Sequence, residues 1–73
     1  MDVRARLSGN MRRLRQLKDW SQEELAHQSG LHRTYISDLE RGARNPTIEV
    51  VDKIAVALDV SCGELLDQVA GSR

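Results

Sequence analysis

The stretch Gln22–Arg41, QEELAHQSGLHRTYISDLER, decides the fold of this chain, because small, turn-forming and apolar residues lie where two helices must cross at a tight turn. Ala26 is small enough to let a second helix approach closely. Gly30 can adopt the left-handed conformation that ends a helix without a Cβ penalty. The inward positions carry Leu25, Leu31, Ile36 and Leu39. This spacing predicts a helix-turn-helix.

The composition bounds the class of protein. The chain has 73 residues, with no Phe, one Tyr and one Trp, and its apolar residues are mostly Leu, Val, Ile and Ala, so we predict a single all-helical domain over residues 1–73. No apolar run approaches the roughly 20 residues that cross a bilayer, and the N-terminus lacks the apolar stretch of a signal peptide, so we expect a cytoplasmic protein without a membrane partner. Cys62 cannot form an internal disulfide, and with only His27 and His32 it makes no recognisable metal set, so no metal or cofactor is expected.

Charge is segregated along the chain although its total is zero. Residues 1–19 carry six basic residues against two acidic ones, a net +4, and residues 20–31 carry two glutamates, a net −2. Residues 32–46 carry three arginines against two acidic residues, a net +1, whereas residues 47–73 carry two basic residues against five acidic ones, a net −3. A basic front half can hold phosphates, and an acidic back half limits indiscriminate nucleic-acid binding.

Helical periodicity and capping signals predict five helices joined by short turns. The first runs from about Val3 to Lys18, and the third begins after Gly30 and ends at Gly42. Thr47 can cap the fourth helix. The apolar stripe of that fourth helix consists of Val51, Ile54, Ala55 and Leu58.

The second and fifth helices each begin with a capping box, in which a serine hydroxyl accepts from an orphan amide and a glutamate reaches back to the serine. The two boxes are Ser21 with Glu24 and Ser61 with Glu64. Trp20 precedes the first box and can form a hydrophobic staple with Leu25, which favours core packing over base stacking for its ring.

The third helix has an outer face that points away from its apolar stripe and can enter a DNA major groove. Arg33 can donate two parallel hydrogen bonds to guanine O6 and N7, a contact worth about 1–3 kcal/mol of discrimination. A carboxylate near DNA is repelled unless it accepts from a cytosine amino group or pins an arginine, and for Asp38 we favour pinning of Arg33 or Arg41. The predicted base-contacting residues are Arg33, Thr34, Ser37 and Asp38.

Phosphate contacts are expected from residues around that face, which position a protein on DNA without specifying the sequence. The ring of Tyr35 could instead cover the edge of the core, and the arginines could form an ordinary solvated surface. The predicted phosphate contacts are Arg12, Gln22, Tyr35, Arg41, Arg44 and Asn45.

A catalytic role is not expected. Ser, His, Asp and Cys are all present, but His27 lies in the middle of a predicted helix and no glycine-rich phosphate loop occurs. A helical chain of this size offers little room for a sheltered pocket.

The chain resembles the lambda-repressor-like helix-turn-helix family, the Cro and CI type also called XRE, from about Leu7 to Leu66. The segments that carry the resemblance are SQEELA, SG, HRTYISDLERG, RNPTIEVVDKIAVALDV and GELL. Within the family it is most similar to small stand-alone regulators, particularly the controller proteins of restriction-modification systems, which carry a similar RTYIS run.

The resemblance implies a five-helix DNA-binding domain and assigns roles to individual residues. It implies a phosphate contact from Gln22, base contacts from Arg33, Thr34 and Ser37, and a buried ion pair between Arg15 and Glu40. A carboxylate on the inner side of the third helix would be costly unless it were paired.

A homodimer is also predicted. One helix contacts too few base pairs to be specific in a genome, so members of this fold usually bind inverted repeats as symmetric dimers, with half-sites about 34–36 Å apart. The predicted interface is built on the fifth helix and the end of the fourth. The alternative is that its apolar residues pack only within the core of the monomer. They are Leu65, Leu66 and Val69.

Two functional classes follow from the pattern. The first is a transcriptional regulator that binds double-stranded DNA and represses, or activates with RNA polymerase as a further partner. The second is an antitoxin-type adaptor that mainly holds a toxin and binds DNA secondarily. Antitoxins usually carry an extra segment for their toxin, and this chain ends soon after its fifth helix, so we expect a regulator.

Overall fold

The computed structural model describes residues 2–68, which fold into five α-helices and contain no strand. The all-helical prediction is confirmed, and the first helix ends within one residue of its expected bound. No helix within residues 2–68 has the length and apolar character that a membrane span requires. The helices are α1 (Val3–Leu17), α2 (Gln22–Ser29), α3 (Arg33–Glu40), α4 (Ile48–Leu58) and α5 (Cys62–Leu66).

The turn between α2 and α3 has the geometry that the sequence predicts. Gly30 ends α2 in the left-handed conformation at φ 73°, and the amide of Leu31 donates to the carbonyl of Ala26 at 3.0 Å. Ala26 is buried between the crossing helices, with 5% of its surface exposed. After α3, Gly42 adopts the same conformation at φ 72°. The two glycines bracket α3, and the predicted helix-turn-helix is confirmed.

Only one of the two predicted capping boxes is complete. At α5, Ser61 Oγ accepts from the Glu64 amide at 3.1 Å, and Glu64 Oε1 accepts from the Ser61 amide at 3.0 Å. At α2, Ser21 Oγ accepts from the Glu24 amide at 3.0 Å, but the Glu24 carboxylate accepts from Gln28 Nε2 at 2.7 Å. The second half of the α2 box was therefore wrong, because Glu24 pairs one turn further along the same helix.

The core forms where the five helices meet and includes the inward residues of the motif. Trp20 and Leu31 pack against it from its edge, so the core-packing interpretation of Trp20 is confirmed. The largest fully buried side chains are Met11, Leu25, Ile36, Leu39, Ile54 and Leu65.

The burial of Leu65 corrects the predicted dimer interface. Leu65 has 0% of its surface exposed and belongs to the monomer core, so it offers no surface to a partner. Its neighbour Leu66 is only partly buried. Val69, the third predicted interface residue, lies outside the described residues.

Two side chains of α1 hold α5 in place through hydrogen bonds that were not predicted from the sequence. Asn10, with 2% of its surface exposed, directs Nδ2 at the carbonyls of Leu65 at 2.8 Å and Asp67 at 2.7 Å. Arg6 Nε donates to the carbonyl of Leu66 at 2.8 Å. The last carbonyls of a helix lack intrahelical partners, and α1 supplies partners for them here.

Candidate nucleic-acid interface

The predicted base-contacting residues begin α3, the second helix of the motif. Arg33 and Thr34 are exposed in its first turn, and Ser37 and Asp38 are half-buried one turn later. Ile36, which precedes Ser37, and Leu39, which follows Asp38, are buried. The N-terminal residues of the second helix are those that contact base edges in helix-turn-helix proteins. The geometry of α3 is thus compatible with the predicted base contacts.

Asp38 forms ion pairs with two arginines on this surface. Arg41 Nη2 donates to Asp38 Oδ1, and Arg44 Nε donates to Asp38 Oδ2 at 3.2 Å. Hydrogen bonding by Arg41, reinforced by Arg44, holds the pKa of Asp38 below its ordinary value. Pinning of Arg41 is therefore confirmed, whereas the second arginine held is Arg44 and not Arg33. We call Asp38, Arg41 and Arg44 the Asp38 cluster.

Tyr35 extends this cluster into the core. Its ring is half-buried against the core, and the Arg44 guanidinium carbon lies 5.1 Å from the ring centroid. A guanidinium within about 6 Å of an aromatic centroid is attracted to the ring face. The ring therefore covers the core edge and also supports Arg44, while a phosphate contact from the hydroxyl remains a prediction.

Behind the surface, Glu40 accepts hydrogen bonds from both α1 and α2. Arg15 donates to it through Nε at 2.8 Å and Nη2 at 3.0 Å, so the structure contains the ion pair that the family resemblance implies. Arg15 Nη1 also donates to the Trp20 carbonyl at 2.8 Å. Hydrogen bonding to Glu40 raises the pKa of Arg15. These bonds fix α3 relative to α1 and the turn before α2.

Gln22 also belongs to this buried network. Its Nε2 donates to Glu40 Oε1 at 3.1 Å, and its side chain is half-buried. A primary amide has two N–H donors, so one remains for the predicted phosphate contact. The other predicted phosphate contacts, Arg12 and Asn45, are exposed on α1 and on the loop after α3.

An apolar cavity of about 170 Å³ opens beside Leu66. Two side chains on its rim are exposed, Val3 by 45% and Ile48 by 83%. They lie at the starts of α1 and α4, whereas the interface predicted from the sequence is built on α5 and the end of α4. We call Val3, Ile48 and Leu66 the apolar groove. The cavity beneath it is also lined by Arg4, Leu7, Asn45, Pro46 and Val51.

No cluster of three or more His, Cys, Asp and Glu side chains that could hold a metal occurs within residues 2–68. The Cys62 Sγ lies 3.5 Å from Asp52 Oδ1, and burial, with this carboxylate, raises the pKa of the thiol. A raised pKa keeps a thiol protonated and poorly nucleophilic.

Comparison with known proteins agrees with this geometry. The helix-turn-helix family model HTH_3 matches residues 11–65, which include the whole motif and the helices packed on it. The chain belongs to the HTH_3 helix-turn-helix family. The family resemblance inferred from the sequence, and with it the five-helix fold, is confirmed.

Relatives within this family are transcriptional regulators, and they include restriction-modification controller proteins. A hypothetical transcription factor of Neisseria meningitidis is 51% identical over 65 residues, covering 89% of this chain and 61% of that protein. Control protein C.SmaI of Serratia marcescens is 46% identical over 66 residues, covering 90% of this chain and 79% of that protein. The solved structure of the restriction-modification controller protein C.AhdI from Aeromonas hydrophila superposes with a TM-score of 0.81 at 42% identity, covering 85% of this chain and 94% of that one.

Proposed function

We propose that this HTH_3 protein is a sequence-specific transcriptional regulator that binds an inverted-repeat operator as a homodimer, in the manner of a restriction-modification controller protein. The observation that carries the proposal is the exposed first turn of α3, where Arg33 and Thr34 stand on a scaffold fixed by the buried Arg15–Glu40 pair. Membership of a family of DNA-binding regulators supports it.

In this proposal α3 enters the major groove and its neighbours hold the DNA backbone. Arg33 donates to guanine O6 and N7, and Thr34 and Ser37 contact adjacent base edges. Arg41 and Arg44, with 65% and 52% of their side chains exposed, contact phosphates on one flank. The remaining phosphate contacts position α3 without specifying sequence. They come from Arg12, the amide of Gln22, Tyr35 and Asn45.

The apolar groove supports the homodimer. Its two most exposed members, Val3 and Ile48, lie open to solvent among residues 2–68, and Leu66 extends the same surface. We assign a second copy of this chain as the occupant, because two-fold pairing would present two α3 helices to one operator. A toxin seated on the groove is the competing outcome, in which case the purified chain would sediment as a monomer.

Selection of bound sequences from random duplex DNA tests the proposal. We expect an inverted repeat whose half-site centres are about one helical turn, roughly 34–36 Å, apart. The same selection with Arg33→Ala should retain the symmetry and lose preference at one base pair of each half-site. Enrichment of no sequence would overturn the regulator proposal, whereas enrichment of a single unrepeated half-site would overturn the dimer.

A further inference from the structure

The Asp38 cluster places a negative charge on the surface that the proposed function turns toward phosphates. The Asp38 side chain is 17% exposed, and the two guanidiniums that flank it are 65% and 52% exposed. A carboxylate within a few ångströms of a phosphate is repelled by it. Asp38 therefore weakens DNA binding in general, and its presence requires a compensating role.

The hydrogen bonds indicate what that role is. Asp38 accepts through Oδ1 from Arg41 and through Oδ2 from Arg44, so one carboxylate holds the C-cap residue of α3 and a loop residue together. A guanidinium has five N–H donors, and each arginine donates one hydrogen bond to Asp38. Arg44 is also held against the Tyr35 ring, with 5.1 Å between guanidinium carbon and centroid. Both guanidiniums are thus restrained while most of their donors stay available for phosphate.

The charge of the cluster is as informative as its geometry. Two arginines alone would contribute +2 to the DNA-facing surface, and Asp38 reduces this to +1. Non-specific affinity arises almost entirely from cations that replace condensed counterions, and it rises with each uncompensated cation. Specific affinity depends in addition on cations held at the correct positions, because ordering a flexible arginine on binding costs conformational entropy.

We propose that Asp38 is a positioning and specificity-determining residue: it fixes the Arg41 and Arg44 guanidiniums for the operator phosphates while suppressing attraction to DNA of other sequence. The inference rests on the proposed function, in which these two arginines contact phosphates. It assigns to Asp38 a role other than hydrogen bonding to cytosine.

The test compares Asp38→Asn with Asp59→Asn. Both variants remove one negative charge with a nearly isosteric side chain. Asp59 follows α4 in the left-handed conformation at φ 61°, which asparagine also adopts, about 18 Å along the helix from Thr47. Affinity is measured as a function of salt for the selected operator and for a random-sequence duplex of equal length. Asp38→Ala provides a second variant at the same position, and circular dichroism confirms that each variant is folded.

For Asp38→Asn we expect affinity for the random duplex to rise about fivefold at 0.1 M salt, with a log–log salt slope steeper by about 0.9. Operator affinity should rise less, so the ratio of specific to non-specific affinity should fall at least about threefold. Asp59→Asn should change neither the slope nor the ratio. The fall in this ratio would not occur if Asp38 did not position the arginines, because loss of its charge alone raises affinity for both duplexes alike.

Two results would overturn the inference. Asp38→Asn could match Asp59→Asn on both duplexes, or it could lose preference at one operator base pair with no gain on the random duplex, which would identify a cytosine contact. Arg41→Ala and Arg44→Ala separate this failure from failure of the proposed function. If both leave the salt slope unchanged, the phosphate contacts themselves are wrong; if both flatten it while Asp38→Asn matches its control, the inference alone is wrong.

Discussion

Glu40 accepts two hydrogen bonds from Arg15, with Nε 2.8 Å from Oε2 and Nη2 3.0 Å from Oε1, and only 2% of the Glu40 side chain is exposed. The pair joins α3, which carries the proposed base contacts, to α1. Two parallel bonds between a planar guanidinium and a carboxylate fix orientation as well as distance. The buried pair therefore sets how far and at what angle α3 projects from the rest of the domain.

Removal of one partner should be costly. Glu40→Ala leaves the Arg15 guanidinium, 13% exposed, without its carboxylate, and we expect a loss of about 3–5 kcal/mol in the free energy of unfolding. Urea denaturation followed by circular dichroism measures this loss. Glu49→Ala on the exposed first turn of α4 is the control and should change stability little. An unaltered unfolding midpoint in Glu40→Ala would show that the pair does not stabilise the fold.

A comparison of Gly9 and Gly30 separates the effect of backbone conformation on stability from the effect of steric crowding. Gly30 ends α2 at φ 73° and Gly9 lies within α1, and at both positions an added Cβ meets nothing within 4 Å. Gly30→Ala should therefore destabilise the fold by about 1–2 kcal/mol, because L-residues avoid the left-handed region. Gly9→Ala should stabilise it by up to about 1 kcal/mol through helix propensity. Thermal melts that moved in the same direction for both variants would contradict this explanation.

The turn and the caps could be predicted from the sequence because they depend on residues close together in the chain. Local sequence patterns of a few residues predict the turn at Gly30, the capping box of Ser61 with Glu64, and the inward positions of α3. Asn10 gave no such signal: it looks like any polar residue of α1, and its hydrogen-bond partners are 54 to 57 positions away.

The assignment of Leu65 to a dimer interface was wrong for a similar reason. A helix of five residues has fewer than two turns, so periodicity cannot decide whether Leu65 or Leu66 faces inward. The packing of α5 on α1 and α4 decides it, and Leu65 is the buried one. The pairing of Asp38 with Arg44 likewise depends on the course of the loop after α3 rather than on helical spacing.

Arg33 and Arg44 should differ in how their loss affects DNA binding. Arg33→Ala removes a proposed base contact, so it should cost about 1–3 kcal/mol on the operator and relax preference at one base pair. Arg44→Ala removes a proposed phosphate contact, so it should weaken binding to all duplexes alike and reduce the salt slope by about 1. Fluorescence anisotropy on matched and mismatched operators measures both. Lys53→Ala, an exposed lysine of α4, is the control, and identical profiles for the two arginine variants would contradict their separate roles.

The Asp38 ion pairs should make stability depend on pH in acid. Their hydrogen bonds hold the pKa of Asp38 below its ordinary value, so the unfolded chain takes up this proton at higher pH than the folded one. The contribution is complete above the ordinary aspartate pKa of about 3.9 and is lost as the pH falls through the lower folded value. The melting-temperature difference between wild type and Asp38→Asn should therefore be constant from pH 7 to 5 and shrink below about pH 4. A difference that persists unchanged at pH 2.5 would exclude this linkage.

The last prediction concerns dimer formation through the apolar groove. Ile48→Arg places a charge at a side chain that is 83% exposed, so the monomer fold should tolerate it, while a partner covering the groove would have to bury that charge. We expect Ile48→Arg to sediment as a monomer and to bind the operator at least about tenfold more weakly, because the two half-sites then act separately. Leu66→Arg should behave in the same way but with some loss of stability, since Leu66 also packs on the core. Val56→Arg is the matched control, a 71% exposed apolar residue of α4 that does not line the cavity, and it should remain dimeric. If Ile48→Arg stayed dimeric while Val56→Arg dissociated, the interface would lie toward the C-terminal end of α4 and not on the apolar groove.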